Sequence, residues 1–419
     1  MAALPRALAP LRHRRYRWLA ASLAGSLLSQ GLWAVAVVWQ VVALGGGPAG
    51  LSLVAALAAG GMLASTLLGG ALADRVPQRH ILLAVELTQC AALGLAAVLS
   101  LTGLLALWHL SAVSLVGGLA MGLYYPAYSA LVPALMPEGD LLAANGLEGV
   151  VRPVLAQAAG PAVAGFLVAS FSPGAAAAIP VTAVRRDPDT EPAAGLAGLL
   201  GDVREGFRYM VRTPWLLATL LFASVMLLVF IGPFEVLVPF AVKAAGGGPT
   251  QHAAVLTAFG LGGALGSIAV ASWRLPRRYL TVMNLLWGLG CIPLVVFGVT
   301  TRLCVMLAAG AVMGATFQAG MVIWGTLLQR RVPPALLGRV SSLDFFVSLA
   351  FMPLSMALAG PVSELIGLRG TFLLGGLAPT LLAVVAILGA RMPADEVAHP
   401  LDVVPEPPAD RVGAPVAGR

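Results

Sequence analysis

Charged residues are scarce in this sequence. Of its 419 residues, 10% are Asp, Glu, Lys or Arg, whereas 59% are hydrophobic and the mean hydropathy is +0.92. A soluble globular protein has about a quarter of its residues charged. The composition therefore excludes a soluble protein and predicts an all-α polytopic membrane protein.

Lysine and cysteine are also rare. Lys243 is the only lysine, and the arginines behind the net charge of +7 gather in loops between apolar runs. This is the distribution of the positive-inside rule, so the charge does not indicate nucleic-acid binding. The cysteines lie in or at the ends of apolar runs, at Cys90, Cys291 and Cys304. Their odd number and their spacing predict neither a disulfide framework nor a metal site.

Motifs of soluble enzymes are missing. The glycine run Gly45–Pro48 lacks the Gly-Lys-Ser/Thr that completes a phosphate-binding loop, and no HExxH, CxxC or GxSxG pattern occurs. We therefore expect no enzyme activity, no cofactor and no metal ion.

The second half of the chain repeats the first. Gly246-Gly247-Gly248-Pro249 matches Gly45-Gly46-Gly47-Pro48, and Leu131–Leu147 pairs with Leu327–Leu343 at 327 − 131 = 196 positions. Two homologous halves of equal length are typical of secondary transporters.

Eleven apolar runs are long enough to cross a bilayer, which takes about 20 residues. The first run follows an Arg-rich leader and is too long for a cleavable signal peptide. Numbered by their place in a twelve-span arrangement, the expected membrane helices are Tyr16–Leu44 (span 1), Leu51–Ala73 (span 2), Ile81–Leu101 (span 3), Leu104–Tyr128 (span 4), Glu148–Phe171 (span 5), Trp215–Val242 (span 7), Ala253–Trp273 (span 8), Leu280–Thr300 (span 9), Leu303–Leu328 (span 10), Leu343–Ile366 (span 11) and Thr371–Leu388 (span 12).

Span 6 is the irregular one. The repeat places it near Gly174–Ala194, where the apolar stretch GAAAAIPVTAV is followed by Arg185 and Arg186. Such a stretch would reach only about 16 Å as a helix, about half of a membrane core. A crossing here nevertheless keeps the arginines of both halves on one side of the membrane. We therefore expect a short sixth crossing.

The stretch between spans 2 and 3, Gly69–Leu82, reads GGALADRVPQRHIL. It resembles the signature loop of the major facilitator superfamily, a Gly-x-x-x-Asp-Arg-x-Gly-Arg-Arg pattern. The residues on that pattern are Gly70, Asp74, Arg75 and Arg79, whereas Pro77 and Gln78 depart from it. The resemblance implies a gate in which Asp74 is attracted to the positive N-terminal end of span 11 when the halves close on the cytoplasmic side.

Two further runs of sequence indicate which branch of the superfamily the chain resembles. Residues 126–147, PAYSALVPALMPEGDLLAANGL, and residues 327–344, LLQRRVPPALLGRVSSLD, look like the enterobactin-exporter branch, the transmembrane secretion effectors. The resemblance covers about Arg14–Arg391. It implies the major facilitator fold of two pseudo-symmetric six-helix bundles and adds Gly338 and Arg339 to the gate.

Span 5 carries an antiporter-like element. Gly160, Pro161 and Gly165 resemble the antiporter motif of the superfamily, although Ala164 replaces the first glycine of its closing pair. Span 1 also departs from the pattern of the enterobactin-exporter branch. Leu32 follows the Gln-Gly turn at a position where this branch often carries an acid. Despite these departures, the element favours export.

The resemblance implies that spans 1, 4, 7 and 10 line a central substrate cavity. The candidate contacts are Gln30, Trp33 and Gln40 in span 1, Tyr124, Tyr125 and Tyr128 in span 4, Phe230 and Phe234 in span 7, and Gln318, Met321 and Trp324 in span 10. A large, mostly apolar pocket with few polar groups suits bulky amphipathic or aromatic molecules. For each of these residues, packing between helices is an equal alternative.

Four charged residues in the spans are candidates for proton coupling: Glu86, Glu148, Arg152 and Glu235. Glu148 and Arg152 are one helical turn apart, which favours a local ion pair. Glu235 has no arginine within a helical turn. A carboxylate in such surroundings is usually functional, although it could also merely wet an outer vestibule. We expect Glu235 to carry the proton, with Glu86 and Glu148 as the next candidates.

These features predict four regions: an N-terminal bundle at 1–184, a cytoplasmic loop with an amphipathic helix (Leu196–Met210) at 185–213, a C-terminal bundle at 214–390, and a disordered cytoplasmic tail at 391–419. We expect a monomer in the bacterial cell membrane with both termini in the cytoplasm. It would export a small amphipathic molecule, such as a drug or a siderophore, in exchange for protons. The alternatives are an uptake symporter and a non-transporting or decayed paralogue that acts as a membrane sensor.

Overall fold

The structure is a computed structural model of the chain, and it describes residues 10–73, 76–134, 147–148, 151–170, 207–272, 276–333, 336, 340, 343–344, 346–348 and 350–401. No strand occurs among these residues. Ten stretches of them are long and apolar enough to cross a membrane. The prediction of an all-α polytopic membrane protein is confirmed.

The first half contains five described membrane helices. They are span 1 (Arg14–Ala43), span 2 (Pro48–Ala73), span 3 (Gln78–Leu101), span 4 (Leu107–Ala134) and span 5, in which a π-helical segment (Pro153–Ala159) continues as an α-helix (Gly160–Ser170). The sixth crossing predicted near Gly174–Ala194 lies outside the described residues. Of the amphipathic helix predicted at Leu196–Met210, only the end is described, as part of a helical stretch at 207–212.

The second half follows the same plan. Its membrane helices are span 7 (Pro214–Ala244, with a π-helical segment at Pro233–Leu237), span 8 (Pro249–Ser272), span 9 (Tyr279–Val299), span 10 (Leu303–Arg331), and spans 11 and 12, which run together as Met352–Gly389.

Spans 11 and 12 are separated by a single residue, Gly367. Its φ of 76° lies in the left-handed region, where glycine has no steric penalty. A Cβ on Gly232 of span 7 would meet the backbone of Ser355 at 2.2 Å, and a Cβ on Gly375 would meet the backbone oxygen of Val229 at 2.8 Å. Because residues on both sides of Gly367 pack at the same level of span 7, the chain reverses direction there.

The repeat is visible in the turns. Gly45 and Gly246 both have positive φ, 76° and 80°, at the ends of spans 1 and 7. The other described glycines with positive φ, Gly103 and Gly367, end spans 3 and 11. All four therefore lie at one end of the bundle, which we call the opposite face. The other end carries the start of span 1 and the arginines that precede span 9 and end span 10, and we call it the basic face.

Two hydrogen bonds between described residues of the two halves lie towards the opposite face. The backbone N–H of Gly360 in span 11 donates to Ser52 Oγ in span 2 at 2.7 Å. Thr257 Oγ1 in span 8 donates to the carbonyl oxygen of Ala158 in span 5 at 3.1 Å. From the rise of a helix, Ser52 and Thr257 lie about 6 and 12 Å inside the opposite face. These contacts hold the halves together at that face.

The prediction of a disordered tail is wrong for residues Met392–Ala398, which form a helix. Glu396 in this helix accepts hydrogen bonds from the backbone N–H of Thr281 at 2.7 Å and from its hydroxyl at 3.1 Å. Arg331 at the end of span 10 forms a two-pronged ion pair with Asp395. These contacts dock the helix at the basic face, which composition alone did not reveal. Residues 402–419 lie outside the described part of the chain.

Candidate functional site

A pocket opens inside the first half, between spans 1, 3 and 4. It contains about 500 Å³ of space not filled by atoms, including some that is open to solvent. The lining residues are Ser26, Ser29, Gln30, Trp33, Val85, Glu86, Gln89, Cys90, Leu93, Met121 and Tyr124. We call it the side pocket, because it is formed within one half of the protein.

Helical periodicity explains this lining. Ser26, Gln30 and Trp33 follow one another at steps of four and three residues in span 1. Span 3 contributes two pairs at a spacing of four residues, Glu86 with Cys90 and Gln89 with Leu93. Residues at these steps share a helix face. The side pocket therefore lies where the two polar faces meet.

Glu86 is the only acid among the described residues of the side pocket. Its residue is 5% exposed, and its carboxylate accepts a short hydrogen bond from the hydroxyl of Ser26 in span 1. The described residues that line the side pocket include no arginine, lysine or histidine. An ionised carboxylate in a membrane bundle is costly unless it is paired or hydrated. The side pocket thus holds an acid that lacks a cationic partner among its lining residues.

The other polar groups of the side pocket form long hydrogen bonds or have no described partner. Tyr124 is 4% exposed, and its hydroxyl has no hydrogen-bond partner among the described residues. Gln30 Nε2 contacts the sulfur of Met121 at 3.7 Å, and Gln89 Nε2 donates to the carbonyl oxygen of Gly117 at 3.4 Å. Because these contacts are long, the amides and the phenol can bind a further molecule.

The predicted orientation of span 1 needs correction. We expected Gln30, Trp33 and Gln40 to face a cavity between the halves, but Gln40 donates to Ser100 Oγ of span 3 at 2.6 Å. Gln30 and Trp33 line the side pocket instead. The polar face of span 1 turns towards spans 3 and 4 of its own half.

The predicted ion pair between Glu148 and Arg152 is confirmed, with Oε2 and Nη2 at 3.5 Å. Tyr128 joins it, because its hydroxyl donates to Glu148 Oε1 at 2.6 Å and its ring lies 5.9 Å from the guanidinium of Arg152. Tyr128 also stacks on Tyr124 at a ring distance of 5.7 Å. Tyr128 is therefore part of a buried polar cluster beside the side pocket.

Trp324 has a similar role in the second half. Its indole Nε1 donates to Asp344 Oδ2 at 2.9 Å, and its ring packs edge-on against Trp215 at 6.3 Å. Trp287 contacts the same ring at 6.2 Å. Trp324 is 5% exposed, so it packs between helices and leaves little surface for a substrate.

Of the remaining aromatic, amide and methionine candidates, three pack within the second half and one is exposed. Phe230 and Phe234 are buried and stacked on each other at 5.6 Å, and Phe234 packs on Phe259 of span 8 at 4.9 Å. Gln318 is half-buried and lies close to Gly263 of span 8. These contacts are made within the second half. Met321, by contrast, is 44% exposed.

Glu235 stands out in span 7. It is exposed, although its neighbours Phe234 and Val236 are buried. It lies nine residues before Ala244, hence about 14 Å inside the opposite face. A charge that faces lipid at this depth is far more costly than one that faces water. We infer that Glu235 faces an aqueous space within the protein.

The antiporter-like residues pack helices closely together. A Cβ on Gly160 would meet the Cα of Gly31 in span 1 at 2.7 Å, and Pro161 is buried beside it. A Cβ on Gly165 would meet the Cβ of Ala253 in span 8 at 2.4 Å. Span 5 is therefore packed on span 1 of its own half and on span 8 of the other half through small residues.

Most of the predicted gate cannot be compared with the structure, since Asp74, Arg75, Gly338 and Arg339 lie outside the described residues. For Gly70 and Arg79 of the gate, and for the cavity candidate Tyr125, only the helical backbone is described. Their roles stay predictions.

Sequence reasoning did not single out several residues that the structure brings into the site. They are Ser26, Ser29, Gln89, Cys90 and Met121 in the side pocket, and Asp344 beside Trp324. The three- and four-residue spacing of polar side chains in span 3 was the available signal. Within the described ranges, no group of three or more His, Cys, Asp or Glu could hold a metal ion.

Comparison with known proteins agrees with this architecture. A family described as transmembrane secretion effector matches residues 5–418. The multidrug efflux pump Tap of Mycolicibacterium fortuitum is 27% identical over 86% of this chain and 92% of its own, and the macrolide efflux protein A of Streptococcus pyogenes is 23% identical over 88% and 93%. The crystal structure of a D-xylose-proton symporter has the same fold, with a TM-score of 0.67 at 16% identity over 89% of this chain and 97% of its own.

Proposed function

The chain belongs to the transmembrane secretion effector family of the major facilitator superfamily, and we propose that it exports a small amphipathic molecule in exchange for protons. The observation that carries the proposal is Glu235, an exposed carboxylate deep in span 7. The names of the two efflux relatives favour a drug-like molecule, and the resemblance to enterobactin exporters adds siderophores.

The contacts between the halves support a cycle of alternating access. The halves are joined near the opposite face by hydrogen bonds such as Gly360 to Ser52 and Thr257 to Ala158. Each of these bonds uses one backbone group and one hydroxyl, which water can replace when the halves separate. Rocking of the halves would open the opposite face and close the basic face.

In this cycle Glu235 exchanges protons with the solution at the opposite face. Opening of that face would connect the aqueous space around the carboxylate, about 14 Å inside, to the solution on that side. A bound proton removes the charge and so lowers the cost of closing the surrounding space. Release of the proton on the other side then resets the carboxylate for the next molecule.

The other acids suit this role less well. Glu148 is held by Arg152 and Tyr128, so it has a stabilising cation in either state. Glu86 is buried and bound to Ser26 in the side pocket. Neither has the exposure of Glu235.

The gate would act at the basic face. We propose that Asp74 is drawn to the N-terminal end of span 11 when the halves close there, with Gly70, Arg75, Arg79, Gly338 and Arg339 around it. This contact would stabilise the state that is open at the opposite face.

We propose a monomer in the bacterial cell membrane, with the basic face and both termini in the cytoplasm. A green fluorescent protein fused after Pro188 should then fluoresce, whereas alkaline phosphatase at the same site should be inactive. A matched fusion in the loop at Gly47 should give the reverse result. Strong phosphatase activity after Pro188 would contradict a sixth crossing.

Transport itself is tested in everted membrane vesicles with a radiolabelled macrolide. We expect accumulation that requires an acidic vesicle interior and stops when a protonophore removes the gradient. Accumulation that persists after the gradient has collapsed would contradict proton coupling. Uptake only by right-side-out vesicles would favour a symporter, and the absence of movement for macrolides, other drugs and siderophores would favour a non-transporting paralogue.

A further inference from the structure

We propose that the side pocket binds the protonated amine of the exported molecule, with Glu86 as the counter-ion of its ammonium group. The proposal rests on the proposed export function, since it names the class of molecule that this function serves. That class is aromatic or amphipathic amines that are cationic at neutral pH.

Glu86 has no positive partner among the described lining residues. The described partner of the Glu86 carboxylate is the hydroxyl of Ser26, which donates one hydrogen bond and brings no positive charge. A carboxylate has about four acceptor sites on its two oxygens. Glu86 is 5% exposed and has no cationic residue among the described lining, so its charge is neutralised either by a proton or by a bound cation, and an ammonium group would supply the cation.

The walls of the side pocket carry groups that bind an organic cation. Trp33 and Tyr124 line the side pocket, and aromatic ring faces attract organic cations. The hydroxyl of Tyr124 lacks a described partner and can accept a hydrogen bond from an ammonium group. Gln89 uses its Nε2 as a donor, so its amide oxygen is another acceptor. An ammonium group has up to three such donors to place.

The side pocket is partly open and is lined by at least eleven residues from three helices, which suits an organic group better than a single ion. Val85, Leu93 and Met121 give the side pocket apolar walls. A hydrated metal ion prefers a cage of oxygens, whereas an aryl amine uses an acid and apolar walls together.

In the second half, neutral polar groups join the spans that take the places of spans 1 and 3. There, spans 7 and 9 meet through Asn284 and Thr219, at 3.5 Å between Nδ2 and Oγ1, and both residues are fully buried. The sulfur of Met392 contacts the same amide at 3.5 Å. The polar contact between these two spans is thus made by neutral groups, whereas spans 1 and 3 meet through an acid.

Cys90 allows the proposal to be tested, because it lines the side pocket one helical turn after Glu86. Of the other cysteines, Cys304 is exposed and Cys291 is buried. In purified Cys304→Ser protein, the rate at which N-ethylmaleimide modifies Cys90 is measured by mass spectrometry. The probes are 1-naphthylmethylamine, which is cationic at pH 7, and its neutral isostere 1-naphthalenemethanol.

We expect the amine to protect Cys90 at a concentration at least about tenfold lower than the alcohol, a difference of about 1.4 kcal/mol. Glu86→Gln should abolish this difference while both probes still enter the pocket. Glu364→Gln, the same change at an exposed position of span 11 near the opposite face, should preserve it. The difference should not depend on exchanging sodium chloride for potassium chloride.

Three outcomes would overturn the proposal. The amine and the alcohol could protect equally in the unsubstituted pocket, Glu86→Gln could keep the preference for the amine, or sodium alone could protect Cys90, which would indicate a metal-ion site.

If Glu86→Gln fails to fold, Gln89→Ala and Tyr124→Phe should each weaken protection by the amine more than by the alcohol. Equal weakening for both probes would then count against the proposal. Vesicle transport without amine-specific protection would refute the amine site alone, and protection without transport would refute the export function alone.

Discussion

The hydroxyl of Tyr128 donates a hydrogen bond to Glu148 at 2.6 Å, from span 4 to the start of span 5. The repeat carries the same relationship into the second half. There the indole of Trp324 donates to Asp344 at 2.9 Å, and the offsets are 324 − 128 = 196 and 344 − 148 = 196. Each half therefore joins its fourth and fifth helices by an aromatic donor and a carboxylate.

The third member of this cluster differs between the halves. Arg152 pairs with Glu148, whereas the residue at 152 + 196 = 348 is Ser348, whose hydroxyl lies 3.4 Å from Asp344. The geometry of the repeat is kept, but the first half uses an ion pair where the second uses a neutral donor. The two halves are thus equivalent in shape and unequal in charge.

Removing the donor from the first-half cluster should destabilise the protein. Tyr128→Phe keeps the ring that stacks on Tyr124 but leaves Glu148 without its shortest hydrogen bond. A hydrogen bond to a charged group contributes about 1.5–3 kcal/mol, so we expect a lower thermal unfolding midpoint in detergent. Tyr124→Phe removes a hydroxyl that has no described partner and should change the midpoint little. Equal effects of the two substitutions would contradict this account.

The contact between spans 2 and 11 should control which face is open. A Cβ at Gly360 would lie 2.7 Å from the Cα of Ala49, so Gly360→Ala should push the two halves apart at the opposite face. Double electron–electron resonance between spin labels at positions 47 and 365 should then report a longer distance. We also expect a slower transport cycle. The control is Gly60→Ala, since a Cβ there meets nothing within 4 Å. An unchanged distance in the Gly360 variant would contradict the role of this contact.

Glu235→Gln should uncouple transport from the proton gradient. The amide keeps the size of the side chain but cannot exchange a proton, so we expect gradient-driven efflux to stop while counterflow of labelled substrate continues. Glu364→Gln is the matched control, because Glu364 is also an exposed acid in a membrane helix. If the Glu235 variant still pumps against a gradient with an unchanged pH dependence, another group carries the proton.

The C-terminal helix should stabilise the basic face of the second half. Arg331 is 9% exposed at its side chain, pairs with Asp395, and lies 4.7 Å over the ring of Trp215. Asp395→Asn removes the negative partner of this enclosed cation, and we expect a loss of about 1–3 kcal/mol in stability. Val397→Ala, at a 77% exposed position of the same helix, should leave the unfolding midpoint unchanged. Equal midpoints for the two variants would show that the ion pair contributes nothing.

The gate prediction rests on Asp74. Asp74→Asn removes the attraction of a carboxylate to a helix N-terminus, about 0.3–2 kcal/mol, and should slow transport about tenfold at normal expression. Asp402→Asn makes the same change in the C-terminal tail and should transport at the normal rate. Normal turnover of the Asp74 variant would reduce the signature loop to a marker of topology.

The sequence by itself determined the membrane class, the placement of eleven helices and the two-fold repeat. Hydrophobicity over about 20 residues is a local property, because a bilayer requires every backbone polar group to be satisfied within its own helix. The glycines that end spans 1 and 7 could be located for a similar reason, since a positive φ at Gly45 and Gly246 depends on the turn alone.

Tertiary structure decided which way each helix faces. Gln30, Trp33 and Gln40 share a face, as their spacing predicts, but only packing shows that this face meets span 3. Helices that are apolar all round carry no strong signal for rotation about their own axes. Close approaches between small residues set that rotation instead, as where Gly31 meets Gly160. The side pocket therefore could not be read from the sequence, because its acid and the hydroxyl that binds it come from helices 60 positions apart.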